Sequence, residues 1–260
     1  MSTPRTSLPD SKPGLDAANQ VAAQIAAPAP QRILVLDVGG AHVKAQIKGG
    51  RQEIKIVSGP KLTPDAMLTR LHARLRGKRY DAVSIGLPAP VIHGRVMQEP
   101  RNLGKGWKDF DFQAAFDCPV RLINDAAMQA LGSYAGGHML FLGLGTGLGS
   151  AAIFDGVIQP LELAHLPYRK HTFEDYVGEK ALEDAGRKKW RAHVEETIEL
   201  LRAAIQPDYI VLGGGNVRHL RKLPAGVRRG DNANAFPGGF RLWQAAGMTA
   251  RMAETDLMHE

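Results

Sequence analysis

Glycine-rich turns follow three predicted strands of this 260-residue chain, and they restrict its fold more than any other feature. The turns read DVGG at residues 37–40, GTGLG at 145–149 and GGGN at 213–216. Ligands of α/β sheets gather beyond the carboxyl ends of the strands, and glycine lets backbone N–H groups approach a phosphate closely. One such turn alone could equally be a tight hairpin. Three of them at strand ends predict an α/β protein that binds phosphate.

The order of predicted elements repeats along the chain. A three-strand meander, a helix, two strands and a second helix make up the first series. The second series has three strands, helices over about residues 173–185 and 188–205, and a last strand that ends in glycines. Sequence identity between the two series is negligible, but their order agrees. We therefore predict an α/β protein with two duplicated lobes and a cleft between them, at residues 32–135 and 136–260, after a disordered tail over residues 1–31.

Composition narrows the class of protein. Hydrophobic residues make up 44% of the chain and charged residues 23%, as in ordinary globular proteins. The net charge of +7 favours anionic partners, which include nucleic acid, membrane surfaces and phosphorylated substrates. The single cysteine, Cys118, excludes an intrachain disulfide and a cysteine-based zinc site. No apolar run reaches the roughly 18 residues of a membrane span, and residues 1–31 lack the apolar segment of a signal peptide. We therefore expect a cytoplasmic protein.

Two aspartates stand where phosphate-transfer chemistry would need them. Asp37 ends the first strand beside its glycines, and a carboxylate there usually holds Mg²⁺ in a phosphate site. A turn-forming aspartate is the alternative. Asp125 lies between a strand and a helix, where it can act as general base for a substrate hydroxyl. In the alternative interpretation, Asn124 or Asp125 is only the N-cap of that helix.

Taken together, the motifs resemble a known family. The segments LDVGGAHVK, RNLGKGW, LINDAAMQALGSY, LGLGTGLGSAAIFDG, ELAH and IVLGGGN occur in the order seen in the ROK sugar kinases. Those proteins belong to the actin/hexokinase-like superfamily, whose two lobes are ribonuclease-H-like. The polyphosphate glucokinase branch is the more similar one, since it is equally short and lacks a zinc-binding cysteine cluster. The resemblance covers about residues 32–245.

The resemblance implies a role for each matched position. The phosphate motifs correspond to Gly39, Gly40, Lys44, Gly145, Thr146, Gly147 and Gly149, and the adenosine-side loop to Gly213, Gly214 and Gly215. Sugar hydroxyls would be held by Asn102, Asn124, Glu162, His165 and Glu174, with Asp125 as the catalytic base. As alternatives, ELAH is an ordinary polar turn and Glu174 is an acid favoured at a helix N-terminus.

The same resemblance implies the reaction and its partners. A phosphoryl group would pass from polyphosphate or ATP to the 6-hydroxyl of glucose or a related hexose, with Mg²⁺ as cofactor and no zinc. We expect a homodimer that binds no specific nucleic acid and no membrane. Basic runs at residues 186–191 and 218–230 could guide a long polyanion such as polyphosphate. A solvated surface on two helices is the alternative for these runs.

The chain departs from the family pattern at two positions. Ala41 replaces the usual Thr or Ser, which would bond a phosphate, and Ala164 replaces a preferred Gly. A hydrogen bond to a charged group contributes about 1.5–3 kcal/mol, so its loss would slow transfer roughly ten- to a hundredfold. Ala41 therefore supports a second hypothesis, a weakened relative that binds sugar or polyphosphate without turnover. The third hypothesis is a sugar-binding regulator of the same fold. Such regulators usually carry an N-terminal DNA-binding domain, which the 31 low-complexity residues at the start of this sequence cannot form.

Overall fold

Two five-stranded sheets form the framework of the computed structural model, which describes residues 30–50 and 52–244. The first series contains β1 (Ile33–Val38), β2 (His42–Ile47), β3 (Ile54–Val57), α1 (Pro64–Arg74), β4 (Ala82–Leu87), β5 (Val91–Ile92), β6 (Arg95–Val96), α2 (Phe112–Phe116), β7 (Val120–Asn124) and α3 (Asp125–Ser133). The second contains β8 (His138–Leu144), β9 (Leu148–Phe154), β10 (Val157–Leu161), β11 (Pro167–Tyr168), β12 (His171–Thr172), α4 (Phe173–Val177), α5 (Glu179–Ile205), β13 (Tyr209–Gly213), β14 (Val227–Arg229) and α6 (Ala235–Arg241). The predicted disordered tail lies outside the described residues up to position 29.

The two sheets share one topology, which confirms the predicted fold class. The first has the order β3-β2-β1-β4-β7 and the second the order β10-β9-β8-β13-β14. In each, three strands form an antiparallel meander, and the parallel strands follow on the other side. The carboxyl ends of the parallel strands therefore lie at one edge of each sheet, where the glycine turns occur.

Helix α1 forms as its sequence predicts. The Thr63 hydroxyl caps it by accepting a hydrogen bond from the Ala66 amide at 3.3 Å, and Pro64 occupies the first helical position. Met67 and Leu71 are fully buried on one face. This helix closes the core beneath the first sheet.

The helical region of the second series differs from the prediction at one point. The helix predicted over about residues 173–185 is divided, because Gly178 is extended with ψ 174° between α4 and α5. A Cβ at Gly178 would lie 2.8 Å from the Thr146 carbonyl oxygen, so this position is held tightly against the glycine loop. The predicted break near residue 187 is present, since Gly186 has φ 74° inside α5.

Five features were not predicted: the hairpins β5–β6 and β11–β12, strand β14, and helices α2 and α6. Helix α6 packs on α3 and on β1, so the chain returns to the first sheet after completing the second. The Ser84 hydroxyl on β4 donates to the Gly239 carbonyl at 2.7 Å and accepts from the Trp243 indole at 2.8 Å. Helix α3 thus lies in a layer covered by elements of both series.

Within the described residues, no helix combines the length and the apolar character that crossing a membrane requires.

Candidate active site

A cleft of about 430 Å³ lies at the strand ends, lined by residues of both series. It brings together most of the predicted site residues: Gly40, Asn102, Asn124, Asp125, Gly145, Thr146, Gly147, Gly149, Glu162, His165, Glu174 and Gly214. The predicted residues that do not line it directly are Asp37, Gly39, Lys44, Gly213 and Gly215. Gly39, Gly213 and Gly215 adjoin lining residues. Asp37 lies near enough to raise the pKa of Asp125 by its charge, and Lys44 is its partner across the β1–β2 pair.

Asp125 is placed in the cleft by the junction of β7 and α3. Asn124 is the N-cap, and its side-chain oxygen accepts from the amides of Ala126 at 3.0 Å and Ala127 at 3.2 Å. The Asn124 amide group donates to the Ala89 carbonyl at 3.3 Å. The structural interpretation of Asn124 is therefore correct, whether or not the residue also contacts a sugar. The cap orients the first helical residue, Asp125, toward the cleft.

The pKa of Asp125 is raised to about 7. Burial is the main cause, and the negative charges of Asp37 and Glu162 add to it. A hydrogen bond from the Ala126 amide at 2.8 Å opposes the shift. A carboxyl with this pKa is divided between its charged and neutral forms at neutral pH, which is the condition that favours general-base catalysis there.

Asp37 forms the second carboxylate of the site. Burial raises its pKa to about 6, while Lys44, its partner across the β1–β2 pair, lowers it. Asp37 and Asp125 raise the local negative potential, which a divalent cation would offset. No group of three or more metal-ligating side chains occurs in the described part of the chain. One carboxylate plus phosphate oxygens of a substrate is an ordinary ligand set for Mg²⁺, so these residues fit that ion.

The loop GTGLG is glycine-rich partly for packing. A Cβ at Gly147 would overlap the Glu174 carboxylate, and one at Gly149 would lie 2.8 Å from the Ala126 side chain. Gly145 has open space in front of it, and its amide donates to the Gly147 carbonyl at 3.1 Å. The loop therefore holds Glu174 and helix α3 at close range, which brings the predicted sugar side and the predicted phosphate side together.

The loop GGGN is joined to GTGLG by a residue that the sequence analysis did not single out. The buried Asn216 side chain donates to the Gly145 carbonyl at 3.1 Å. Gly214 has φ 86° and a Cβ there would overlap the backbone of Leu144, so only glycine fits. Its amide donates to the Asn232 side chain at 3.1 Å. Asn216 is the last residue of the motif GGGN, so the sequence did contain an indication of its role.

The first glycine turn lies at the opposite side of the cleft. The Gly39 amide donates to the His42 carbonyl at 2.9 Å, and the Ala41 carbonyl accepts from the Ser58 amide at 2.9 Å. A Cβ at Gly40 would lie 3.1 Å from that of Asn102. Ala41 and His42 are both exposed, so neither side chain is enclosed by the core.

The predicted sugar residues of the second series lie on a short stretch around the turn Leu163–His165 and on α4. Burial raises the pKa of Glu162, an effect that His165 partly opposes. Glu174 forms an ion pair at 3.2 Å with Arg101 of the first series. Arg101 also lines the cleft and was not predicted, because its partner is 73 positions away in sequence.

Comparison with known proteins finds similar sequences. Residues 33–160 match the sequence profile of the ROK family. The chain is 27% identical over 211 residues to a polyphosphate glucokinase of Mycobacterium tuberculosis (strain CDC 1551 / Oshkosh), covering 72% of this chain and 78% of the relative.

Solved structures share the fold. The crystal structure of an inorganic polyphosphate/ATP-glucomannokinase from Arthrobacter sp. strain KM matches with a TM-score of 0.70 at 24% identity, over 84% of this chain and 99% of that one. A ROK family glucokinase from Streptomyces griseus, in complex with glucose and AMPPNP, matches with a TM-score of 0.63 at 15% identity, over 82% of this chain and 99% of that one. The sequence match and the shared fold both show that the chain is similar to proteins of the ROK family.

Proposed function

We propose that the protein is a hexose kinase that transfers a phosphoryl group from polyphosphate, or from ATP, to the 6-hydroxyl of glucose or a related hexose. The observation that carries the proposal is Asp125, a half-buried carboxyl that lines the cleft and has a pKa raised to about 7. The polar residues that line the same cleft on both sides support it. The similarity to polyphosphate glucokinase favours polyphosphate as the first donor to test.

In the proposed reaction, the Asp125 carboxylate accepts the proton of the sugar hydroxyl as its oxygen attacks the terminal phosphorus. The bond from that phosphorus to the bridging oxygen of the donor breaks, and the shortened donor leaves with the electron pair. General-base assistance of this kind contributes about 10²–10⁴-fold to the rate. Holding both reactants in line contributes further, up to about 7–11 kcal/mol in favourable cases.

The residues around Asp125 position the two substrates. Asn102, Glu162, His165 and Glu174 supply donors and acceptors for sugar hydroxyls, and the glycine loops supply backbone amides for phosphate oxygens. Asp37 would hold Mg²⁺, and that ion supplies positive charge against the phosphoryl group when it is bound. Lys44, opposite Asp37, adds a second positive charge on the same side.

We also propose the remaining properties implied by the family. These are a homodimeric assembly, a cytoplasmic location, and lobes divided near residue 135. Sedimentation of the purified chain tests the first of them, and a monomer at all concentrations would contradict it.

A second candidate function is binding of sugar or polyphosphate without turnover, and Ala41 is the observation that favours it. The first glycine turn lacks the hydroxyl that would meet a phosphate. Restoring it with Ala41→Thr distinguishes the two candidates. A gain in transfer of about tenfold or more would show a weakened site, whereas an unchanged rate would show that this chain compensates for the alanine.

The experiment that tests the kinase is production of glucose 6-phosphate with Mg²⁺, with polyphosphate and ATP compared as donors. Asp125→Asn removes the base, and Asp155→Asn is the matched control because Asp155 is an exposed aspartate outside the cleft. We expect turnover that survives in the control and falls by at least about 10²-fold in Asp125→Asn. No turnover with either donor across several hexoses would reject the kinase and leave the binding protein.

A further inference from the structure

Three arginines lie around His219, at the end of the 3₁₀ turn that follows Gly214, and the proposed reaction does not use them. This arginine cluster consists of Arg187, Arg191 and Arg218. The Arg191 guanidinium donates to the His219 carbonyl at 2.6 Å, and that of Arg218 donates to the His219 ring nitrogen Nε2 at 3.2 Å. The charge of Arg187 also acts on the imidazole. The two basic runs of the sequence, residues 186–191 and 218–230, therefore lie close together at His219.

In the part of the chain that the structure describes, the arginines of the cluster have no ion-pair partner. Burial, together with the three guanidinium charges, lowers the pKa of His219. Its Nε2 accepts a hydrogen bond from Arg218, which agrees with a neutral ring. Arg187 and Arg218 are exposed, so an anion with several charges can approach them.

One structural element leads from the glycine loops directly to this cluster. Gly214 lines the cleft, and the 3₁₀ turn Gly215–His219 follows it. Asn216 of this turn bonds the Gly145 carbonyl, whereas Arg218 and His219 lie at its far end. A 3₁₀ helix rises about 2 Å per residue, so the cluster begins roughly 6–8 Å beyond the start of the turn.

Helix α5 is a second element that extends from a glycine loop to the arginine cluster. The Glu179 amide at its start donates to the Thr146 carbonyl at 3.2 Å. At about 1.5 Å per residue, the first segment of the helix extends roughly 9 Å away from the GTGLG loop. Gly186 then changes the chain direction with φ 74°, and Arg187 follows it. The 3₁₀ turn and the first segment of α5 thus both begin at a predicted phosphate loop. Arg218 lies near the remote end of the turn, and Arg187 directly follows the segment.

We propose that the arginine cluster binds the distal phosphates of an inorganic polyphosphate chain whose terminal phosphate lies at the glycine loops. The inference rests on the proposed function and assigns a place to the part of the donor that does not react. A linear polyphosphate carries negative charge along its whole length, whereas ATP ends in a neutral nucleoside. Guanidinium groups bind phosphate through paired, charge-assisted hydrogen bonds. The cluster therefore contributes to the affinity for long chains and not to that for ATP or hexose.

The test is direct titration of the full chain with long-chain polyphosphate, tripolyphosphate and ATP. Arg187→Gln/Arg218→Gln removes two exposed cations and keeps Arg191, whose guanidinium bonds the His219 carbonyl of the turn. Arg76→Gln/Arg79→Gln makes the same charge change at exposed positions after α1. In the cluster variant, we expect the Kd for the long chain to rise by about tenfold or more and the slope of log Kd against log salt to fall by about 1.4. Affinities for tripolyphosphate and ATP should change less than about twofold.

Three results would overturn the proposal. An equal loss in the control variant would show a general effect of net charge. An equal loss for tripolyphosphate and ATP would place the cluster at the reacting phosphate. Binding of a single-stranded oligonucleotide as tightly as polyphosphate, with the same loss in the variant, would assign the surface to nucleic acid. Because titration needs no turnover, absence of glucose 6-phosphate production rejects the proposed function separately, and the binding data still decide the role of the cluster.

Discussion

At the scale of single residues, Asp125 shows how surroundings change the chemistry of an ordinary carboxyl. A carboxylate in the first turn of a helix is stabilised by the helix dipole, and the Ala126 amide adds a hydrogen bond. Both effects favour the charged form. Burial and the nearby Asp37 oppose them and prevail, so the pKa rises to about 7 instead of falling. This shift is what makes the residue suitable as a base for a neutral hydroxyl.

The pH dependence of activity follows from this pKa. The base acts in its deprotonated form, so we expect kcat/KM to increase as pH rises through about 7 and then to level. Rates measured across pH 5 to 9 with saturating donor check the prediction. A profile that is flat between about pH 6 and 8 would contradict it, because the base would then already be fully charged.

Stability changes in the opposite direction with pH. The folded protein holds the Asp125 proton more tightly than the unfolded chain does, so stability from this group is complete below about pH 4 and is lost as pH rises through about 7. Asp125→Asn keeps an uncharged group at every pH. We expect the variant to exceed the parent in unfolding free energy by roughly 2–4 kcal/mol at pH 8, with the difference vanishing near pH 4. Denaturant unfolding at the two pH values measures this, and an equal difference at both would contradict it.

At the scale of elements, the hairpin β11–β12 determines how the predicted sugar residues are held. It connects the turn that carries His165 with helix α4, which carries Glu174. The buried Tyr168 hydroxyl donates to Glu196 at 2.8 Å and also bonds His193 at 3.0 Å, both on α5. Arg169 bonds the same hydroxyl at 3.1 Å. One side chain therefore fixes a short, irregular segment to the longest helix.

Removing this hydroxyl should affect sugar binding more than transfer. We expect Tyr168→Phe to lower the free energy of unfolding by about 1–3 kcal/mol, because its partners lose a half-buried hydrogen-bonding group. The KM for hexose should rise several-fold with kcat nearly unchanged, since Asp125 lies on another element. Tyr176→Phe is the control, because Tyr176 contacts Tyr168 and His193 through its ring. Equal effects of the two variants would show that the hydroxyl has no positioning role.

At the scale of the whole molecule, the two sheets are connected by the end of the described chain as well as by helix α3. Helix α6 crosses α3 at glycine contacts, where a Cβ at Gly132 or Gly238 would overlap the other backbone. Ser84 and Trp243 continue this connection on the first sheet. The helix that carries Asp125 is thus enclosed from both sides, which keeps it buried.

Removing the hydrogen bonds that attach α6 and Trp243 to β4 should weaken the packing of α6 on the first sheet. Ser84→Ala removes the hydroxyl that bonds Gly239 and Trp243, and Ser84 is fully buried. We expect a loss of about 1–3 kcal/mol in the free energy of unfolding and faster amide exchange over residues 235–244. Thr69→Ala, at an exposed position of α1, is the control. Unchanged exchange in α6 would show that packing at the glycines holds the helix by itself.

Much of the fold follows from local sequence patterns. The meanders, the parallel strands other than β14, and most helices were predicted, because hydrophobic periodicity and the position of glycines are visible within a few residues. Helix α6 was not predicted, since its sequence AFPGGFR contains residues that disfavour helices in isolation. Close packing against α3 outweighs that preference. The five predicted sugar residues and Asp125 do line one cleft, although their individual roles remain proposals.

Local patterns along the chain are enough to predict two α/β series with glycine turns at their strand ends. Three features arise only in the folded protein: the raised pKa of Asp125, the ion pair of Arg101 with Glu174 and the arginine cluster around His219. Each of these depends on burial or on charges brought together from distant positions. Sequence periodicity carries no information about such distances, because electrostatic interaction depends on separation in space and on exclusion of water.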